Sequence, residues 1–129
     1  MRGVKVYQPP GQPAPVTAFL DNLEPKFRDK LVWQIFHLSR TSRVELKEPH
    51  YKHFCLERYA CFYELREREK ITVRIIFTYW EGDVLLINAI IKRRSRDITQ
   101  ALEQSLRILA EIRDHPEYAV EFKIKEEST

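Results

Sequence analysis

The segment Ile87–Asp97, INAIIKRRSRD, changes from apolar to strongly basic within one position. Its apolar half is typical of a buried strand, so the cations that follow are expected at one end of a sheet. Arginine presents a planar, permanently charged fork to phosphate oxygens, which suits a polyanion such as RNA. A solvated surface loop is the alternative interpretation. The cations of this basic cluster are Lys92, Arg93, Arg94 and Arg96.

Two further cations lie upstream in predicted strands. Arg66 belongs to Tyr59–Arg68, which is strand-like, and Arg74 belongs to Ile71–Trp80, which is rich in β-branched and aromatic residues. Because side chains alternate along a strand, Arg66 shares a face with Glu64, and Arg74 lies on the more polar face of its own strand. We therefore expect one polar sheet face that carries both arginines. Exposed arginines that make weak cross-strand ion pairs are the alternative interpretation.

Periodicity along the rest of the chain predicts three helices. Thr17 can cap a short first helix, and Pro25 suits the first turn of a second helix that ends near Arg43. Apolar residues spaced by three and four give the second helix one buried stripe. Asp97 and Gln100 have the spacing of a capping box at the start of a last helix, apolar residues again form one stripe along it, and Pro116 ends it.

The strands predict an α+β domain with a mostly antiparallel sheet of four to five strands. Val4–Gln8 alternates as a first strand. Val84–Ile91 follows the strand at Ile71–Trp80 after the turn residues Glu81–Asp83, which favours a hairpin. The helices are expected on one face of this sheet and the arginines on the other.

Composition limits the class of protein. A chain of 129 residues is in the single-domain range, and 43% hydrophobic with 32% charged residues is typical of a folded soluble protein. We predict one domain over residues 1–115 and a C-terminal extension over residues 116–129, in which YAVEFKIK could add an edge strand. No apolar segment reaches the ~20 residues of a membrane span, and the N-terminus lacks an apolar signal core. A cytoplasmic protein with no membrane partner is therefore expected.

Metal and cofactor motifs are weak. His50, His53, Cys55 and Cys61 include the residue types of a zinc site, but their spacing fits no common finger, so no metal site is predicted. With three glycines in the chain, neither a phosphate-binding glycine loop nor a dinucleotide fingerprint is expected.

The order of these segments resembles a known superfamily. FYELR at Phe62–Arg66, VRIIF at Val73–Phe77 and LLINAIIKR at Leu85–Arg93, followed by a helix, resemble the RelE/ParE toxins, and in particular their HigB-like, phage-derived branch. The resemblance covers Val4–Arg113. It implies a RelE-like fold, a curved sheet on which two N-terminal helices and one C-terminal helix pack.

The resemblance also implies a function. That branch contains toxins of type II toxin–antitoxin systems that cleave messenger RNA on the ribosome, without a metal or other cofactor. The implied partners are a cognate helix-turn-helix antitoxin, the ribosome and messenger RNA, and the implied assembly is a homodimer or a toxin–antitoxin heterotetramer. The ParE side of the superfamily has the same fold and targets DNA gyrase. A ParE-like or degenerate member that acts by protein binding alone is therefore the alternative.

The resemblance assigns the site residues, and the chemistry is compatible with them. RNA cleavage through the 2′-hydroxyl needs fixed cations for the phosphate and titratable groups for two proton transfers. Tyr63 and Tyr79 could stack on bases, but their position on the core face favours packing. The positions that match the family's functional cations, predicted as catalytic, are Arg66, Arg74, Lys92 and Arg93. Acid or base candidates are Lys52, His53 and Glu64, beside Lys92, and further RNA-binding cations are Lys47, Arg68, Arg94 and Arg96.

Overall fold

The chain forms an α+β domain in a computed structural model that describes residues 2–41 and 50–124. The α+β prediction is confirmed. No helix within the described residues is long and apolar enough to cross a membrane. In chain order the elements are β1 (Val4–Tyr7), α1 (Pro15–Asp21), α2 (Pro25–Arg40), β2 (Tyr51–His53), β3 (Tyr63–Arg68), β4 (Thr72–Trp80), β5 (Asp83–Ile91), α3 (Ser95–Asp114) and β6 (Ala119–Glu121).

The strands form one mostly antiparallel sheet, as predicted, and their order in it is β2-β3-β4-β5-β1-β6. Only the β1–β5 pair is parallel among the described strands. The sheet has six strands rather than four to five because short strands close both edges. β6 lies in the predicted edge segment, whereas β2 has three residues, too few for a pattern of alternation to show.

The β4–β5 hairpin sets the register of the middle of the sheet. Glu81 and Gly82 form its turn with φ of 49° and 85°. Two consecutive positive φ angles match the twist of an antiparallel pair, and glycine adopts such an angle without strain. The resulting register places Arg74 opposite Ile90, with a bulge after Ile76.

Helices cover both faces of the sheet, so the expectation of helices on one face is wrong. α1 and α2 pack on one face, where Leu31 and Ile35 meet Ile75. α3 packs on the opposite face, where Leu109 meets Ile76. The physical reason is that β4 and β5 carry apolar side chains on both faces, and each face needs cover.

The helix starts differ in part from the predictions. α2 begins at Pro25 as expected, with the Glu24 carboxylate accepting hydrogen bonds from the first turn. α1 begins at Pro15, before the predicted cap Thr17. α3 begins at Ser95, two residues before the predicted cap Asp97. Asp97 is instead the third residue of the helix, and its Oδ2 accepts the backbone N–H groups of residues 93 and 94 at 2.9 and 2.8 Å. These hydrogen bonds lower the pKa of the Asp97 carboxyl.

The segment before β3 is a 3-10 turn, Glu57–Tyr59, and β3 therefore begins at Tyr63 rather than Tyr59. Arg58 Nε donates to Glu103 Oε2 of α3 at 2.7 Å, and the Tyr59 hydroxyl donates to the same oxygen. These hydrogen bonds lower the pKa of Glu103 to about 2, with Arg58 the larger cause. The turn is thus tied to α3.

The described part of the predicted extension packs onto the sheet. β6 pairs with β1, and Phe122 is buried in the core under α2 with its ring centroid 5.9 Å from that of Phe36. The boundary between residues 1–115 and 116–129 stays a prediction.

Phe122→Ala is expected to lower the free energy of unfolding by about 3–5 kcal/mol, because it leaves a cavity in that core. Glu121→Ala, an exposed change next to it, is the control and should stay within about 0.5 kcal/mol of the wild type. Urea unfolding followed by circular dichroism measures both. Equal stability of the two variants would show that residues after Pro116 do not contribute to the fold.

Candidate functional site

Glu64, Arg66 and Arg74 form one charged cluster, here called the Glu64 cluster. The β3–β4 register places Arg66 directly opposite Arg74. Arg74 Nη1 donates a hydrogen bond to Glu64 Oε1 at 2.9 Å, and Arg66 Nε lies 3.0 Å from the same oxygen. Ile76, two residues after Arg74, packs with α3. The cluster therefore lies on the α3 face of the sheet.

Burial separates this cluster from an ordinary surface ion pair. Glu64 is fully buried, and the side chains of Arg66 and Arg74 are 26% and 13% exposed. The alternative interpretation, in which both arginines are exposed sheet residues, is therefore wrong. Like charges directly opposite each other destabilise a sheet, and the carboxylate between them offsets that repulsion. Two cations and one anion leave a formal charge of +1 on the cluster.

The cluster is also incompletely hydrogen-bonded. Glu64 Oε2 and Arg74 Nε are buried and have no hydrogen-bond partner within the described residues. A buried polar atom without a partner costs about 1–3 kcal/mol. Buried ion pairs of this kind contribute little net stability compared with apolar side chains of similar volume. Stability alone therefore does not account for the cluster.

A pocket of about 390 Å³ opens beside the cluster, and we call it the β3–β4 pocket. Arg66, Arg68 and Arg74 line it. The one carboxylate in its lining, Glu67, lies 3.4 Å from Lys30 Nζ. Because that carboxylate already has a cation, the lining favours an anionic ligand.

A second cavity, the α3 groove, lies between the end of β5, the basic cluster and α3 and has a volume of about 580 Å³. Arg93 and Arg94 line it from the basic cluster, and Arg107 lines it from α3. Ile90 also lines the groove and is directly opposite Arg74 in the sheet. The α3 groove, which Arg93 and Arg94 line, therefore includes the residue directly opposite Arg74 in the sheet.

Two lysines flank the Glu64 cluster. Lys52 of β2 is directly opposite Glu64 and is exposed. Lys92 donates its backbone N–H to the carbonyl oxygen of Thr72 at 3.0 Å, and Thr72 lines the β3–β4 pocket. Both predicted lysines thus lie near the arginines.

His53 is not brought together with the Glu64 cluster. Its ring stacks on Tyr63 at 4.3 Å, and Tyr63 stacks on Phe77 at 5.6 Å, all on the face that α1 and α2 cover. His53 Nε2 is also 2.7 Å from the carbonyl oxygen of Ala60. The sheet therefore separates His53 from the cluster. The same face holds Tyr79, 5.1 Å from Tyr63, so packing of both tyrosines is confirmed.

The other predicted residues lie apart. Arg96 is exposed in the first turn of α3 and lines neither the β3–β4 pocket nor the α3 groove. Lys47 lies outside the described residues. Within residues 2–41 and 50–124, no three His, Cys, Asp or Glu side chains are grouped so that they could hold a metal ion.

Three lining residues of α3 were not predicted as site residues, because the sequence analysis considered this helix only for its cap, its apolar stripe and its end. Gln100, Gln104 and Arg107 are spaced by four and three, so they share one flank of the helix and line the α3 groove. Asn88, which interrupts the apolar run of β5, donates a hydrogen bond to Gln104 Oε1 at 3.0 Å. The polar residue within the apolar run of β5 and the helical spacing of the three α3 residues together could have predicted this polar flank.

A comparison with protein families identifies the family of the chain. The family model described as phage-derived protein Gp49-like (DUF891) matches residues 18–113, more than half of the chain. The chain belongs to the Gp49-like family. This phage-derived family is a RelE/HigB-like family of toxins from toxin–antitoxin systems, so an antitoxin is the partner that membership suggests. No curated protein and no solved structure matches the chain. The Glu64 cluster and the α3 groove lie within the matched residues.

Arg74→Gln is expected to lower the free energy of unfolding of this Gp49-like protein by about 3 kcal/mol, because it removes a partner from a buried carboxylate. Glu64→Gln/Arg74→Gln removes both charges of that contact and should be more stable than Arg74→Gln. Urea unfolding of both variants and of Glu64→Gln completes the double-mutant cycle. An Arg74→Gln protein as stable as the wild type would show that the contact between Glu64 and Arg74 does not contribute to the free energy of unfolding.

Proposed function

We propose that this Gp49-like protein is the toxin of a type II toxin–antitoxin system, belongs to the HigB-like branch, and cleaves messenger RNA on the ribosome without a metal. The observation that supports the proposal most directly is the Glu64 cluster. Two arginines face each other on adjacent strands, and one buried carboxylate orients them without neutralising both. A cation pair of this kind can stabilise a phosphate whose charge increases in the transition state.

In the proposed reaction the ribose 2′-hydroxyl attacks the neighbouring phosphorus, and the bond from phosphorus to the 5′-oxygen breaks. Arg66 and Arg74 bind the phosphate oxygens, and Arg93 extends the positive surface from the α3 groove. The proton of the 2′-hydroxyl passes to a titratable side chain, and the leaving 5′-oxygen takes up a proton. We assign these transfers to Lys52 and Lys92, which flank the cluster. The lysine that takes the 2′-hydroxyl proton must act as a neutral amine, and the lysine that protonates the 5′-oxygen must act as an ammonium.

Glu64 has a different role from the acid or base considered for it above. It has no exposed surface, and one of its oxygens contacts both arginines. A proton-transfer group must reach the reacting atom, so this geometry favours a positioning role. Glu64 holds the two guanidinium groups in place by ion pairing.

The proposal includes partners and a location. A cognate helix-turn-helix antitoxin inhibits the toxin, and the assembly is a toxin homodimer or a toxin–antitoxin heterotetramer. The substrate is messenger RNA on translating ribosomes in the cytoplasm. Arg68, Arg94, Arg96 and Lys47 are proposed to contact the RNA backbone. Such contacts weaken as the salt concentration rises.

The test is to map messenger RNA 5′ ends in a purified translation reaction, with and without ribosomes. Wild-type protein should produce cuts that require ribosomes. The double variant Glu64→Gln/Arg74→Gln removes Arg74 without leaving a buried carboxylate that has lost a partner. We expect it to cleave about 100-fold or more slowly than Glu64→Gln, because the Arg74 guanidinium no longer stabilises the charge of the transition state. Lys26→Gln removes an exposed cation from α2, on the other face, and should cleave as the wild type does.

Two results would overturn the proposal. Equal cleavage by Glu64→Gln and Glu64→Gln/Arg74→Gln would remove Arg74 from the mechanism. A folded wild-type protein that makes no cuts in any reaction would exclude the nuclease, and action by protein binding alone, as on DNA gyrase, would then be the better interpretation.

A further inference from the structure

The α3 groove combines an apolar floor with polar walls. Ile90, Ile91 and Ala101 supply the apolar part of the lining, and Gln100 and Gln104 supply side-chain amides. Its volume of about 580 Å³ is in the range of small-molecule sites. A nucleobase has flat apolar faces and a polar edge, so this combination suits a base that has left its stack.

Gln104 is held in one orientation. Asn88 Nδ2 donates to Gln104 Oε1 at 3.0 Å, and Asn88 Oδ1 accepts the backbone N–H of Ala89 at 3.0 Å. The hydrogen bond from the Ala89 N–H identifies the oxygen end of the Asn88 amide, so the other end is the NH₂ donor. The hydrogen bond from that donor then fixes the orientation of the Gln104 side-chain amide. With its oxygen turned toward Asn88, Gln104 offers its NH₂ group as a donor. A fixed donor distinguishes a base edge with an acceptor from one without.

The charges of the groove favour a nucleotide over a neutral ligand. Arg93, Arg94 and Arg107 line it. The one carboxylate of the lining, Asp97, already accepts two backbone N–H groups through Oδ2. The guanidinium groups can bind phosphate or stack on a base.

The groove also lies next to the proposed cleavage site. Ile90 of the groove is directly opposite Arg74 in the β4–β5 register. A nucleotide whose phosphate lies at the Glu64 cluster can therefore place a neighbouring base at the α3 groove.

We propose that the α3 groove binds an unstacked base of the RNA substrate and that Gln104 selects it through its amide donor. The inference rests on the proposed function. Gln104 is a specificity-determining residue in this account, and Asn88 positions it.

Titration of the folded protein with AMP, GMP, CMP and UMP, followed through the side-chain amide signals of Gln104 and Asn88 by NMR, tests the inference without ribosomes or cleavage. At least one nucleotide should bind about tenfold more tightly than the weakest, the range of a good base contact. Gln104→Glu keeps an acceptor for Asn88 but has no amide donor, so it should change the order of affinities. Gln12→Glu, an exposed change in the loop before α1, is the control and should keep the order.

Equal affinity for all four nucleotides, no binding of any, or an unchanged order in Gln104→Glu would overturn the inference. The failure of the proposed function gives a different result. Base-selective binding without ribosome-dependent cuts would support the groove as a base site and exclude the nuclease. Cuts without base-selective binding would support the nuclease and exclude the groove as a base site.

Discussion

The buried carboxylate of Glu64 between Arg66 and Arg74 is the interaction on which the site depends. Two arginines directly opposite each other on adjacent strands repel, and the sheet tolerates them because a third residue of the same face lies between them. In the proposed function, the positive charge that Glu64 leaves uncompensated binds the phosphate of the RNA. Stability and function are therefore coupled here, since a variant that removes one arginine also leaves the carboxylate less well paired.

The sheet provides the frame for this interaction because it is covered on both faces. α1 and α2 pack on one side, and α3 packs on the other. The side of α3 also carries the Glu64 cluster, and the flank of α3 lines the α3 groove. One helix thus serves both to complete a core and to line a candidate binding surface.

The sequence predicted the fold class, the β4–β5 hairpin and the face shared by Glu64 and Arg66, because alternation along a strand is a local property. It did not predict the face that α3 covers. Apolar residues on both faces of β4 and β5 were the clue, but strand patterns do not say which helix meets which face. β2 escaped prediction because it is three residues long. The burial of Arg74 was missed for a related reason: exposure depends on neighbouring strands and on Glu64, which the local pattern does not contain.

The measurement that tests the central claim most directly is the single-turnover rate of messenger RNA cleavage on the ribosome by Arg74→Lys. Lysine keeps a cation for Glu64, so the fold should persist, but it lacks the planar fork that binds two phosphate oxygens at once. If the Glu64 cluster stabilises the transition state, the rate should fall about 100-fold while the protein unfolds at nearly the wild-type urea concentration. A wild-type rate from a folded Arg74→Lys protein would contradict the account.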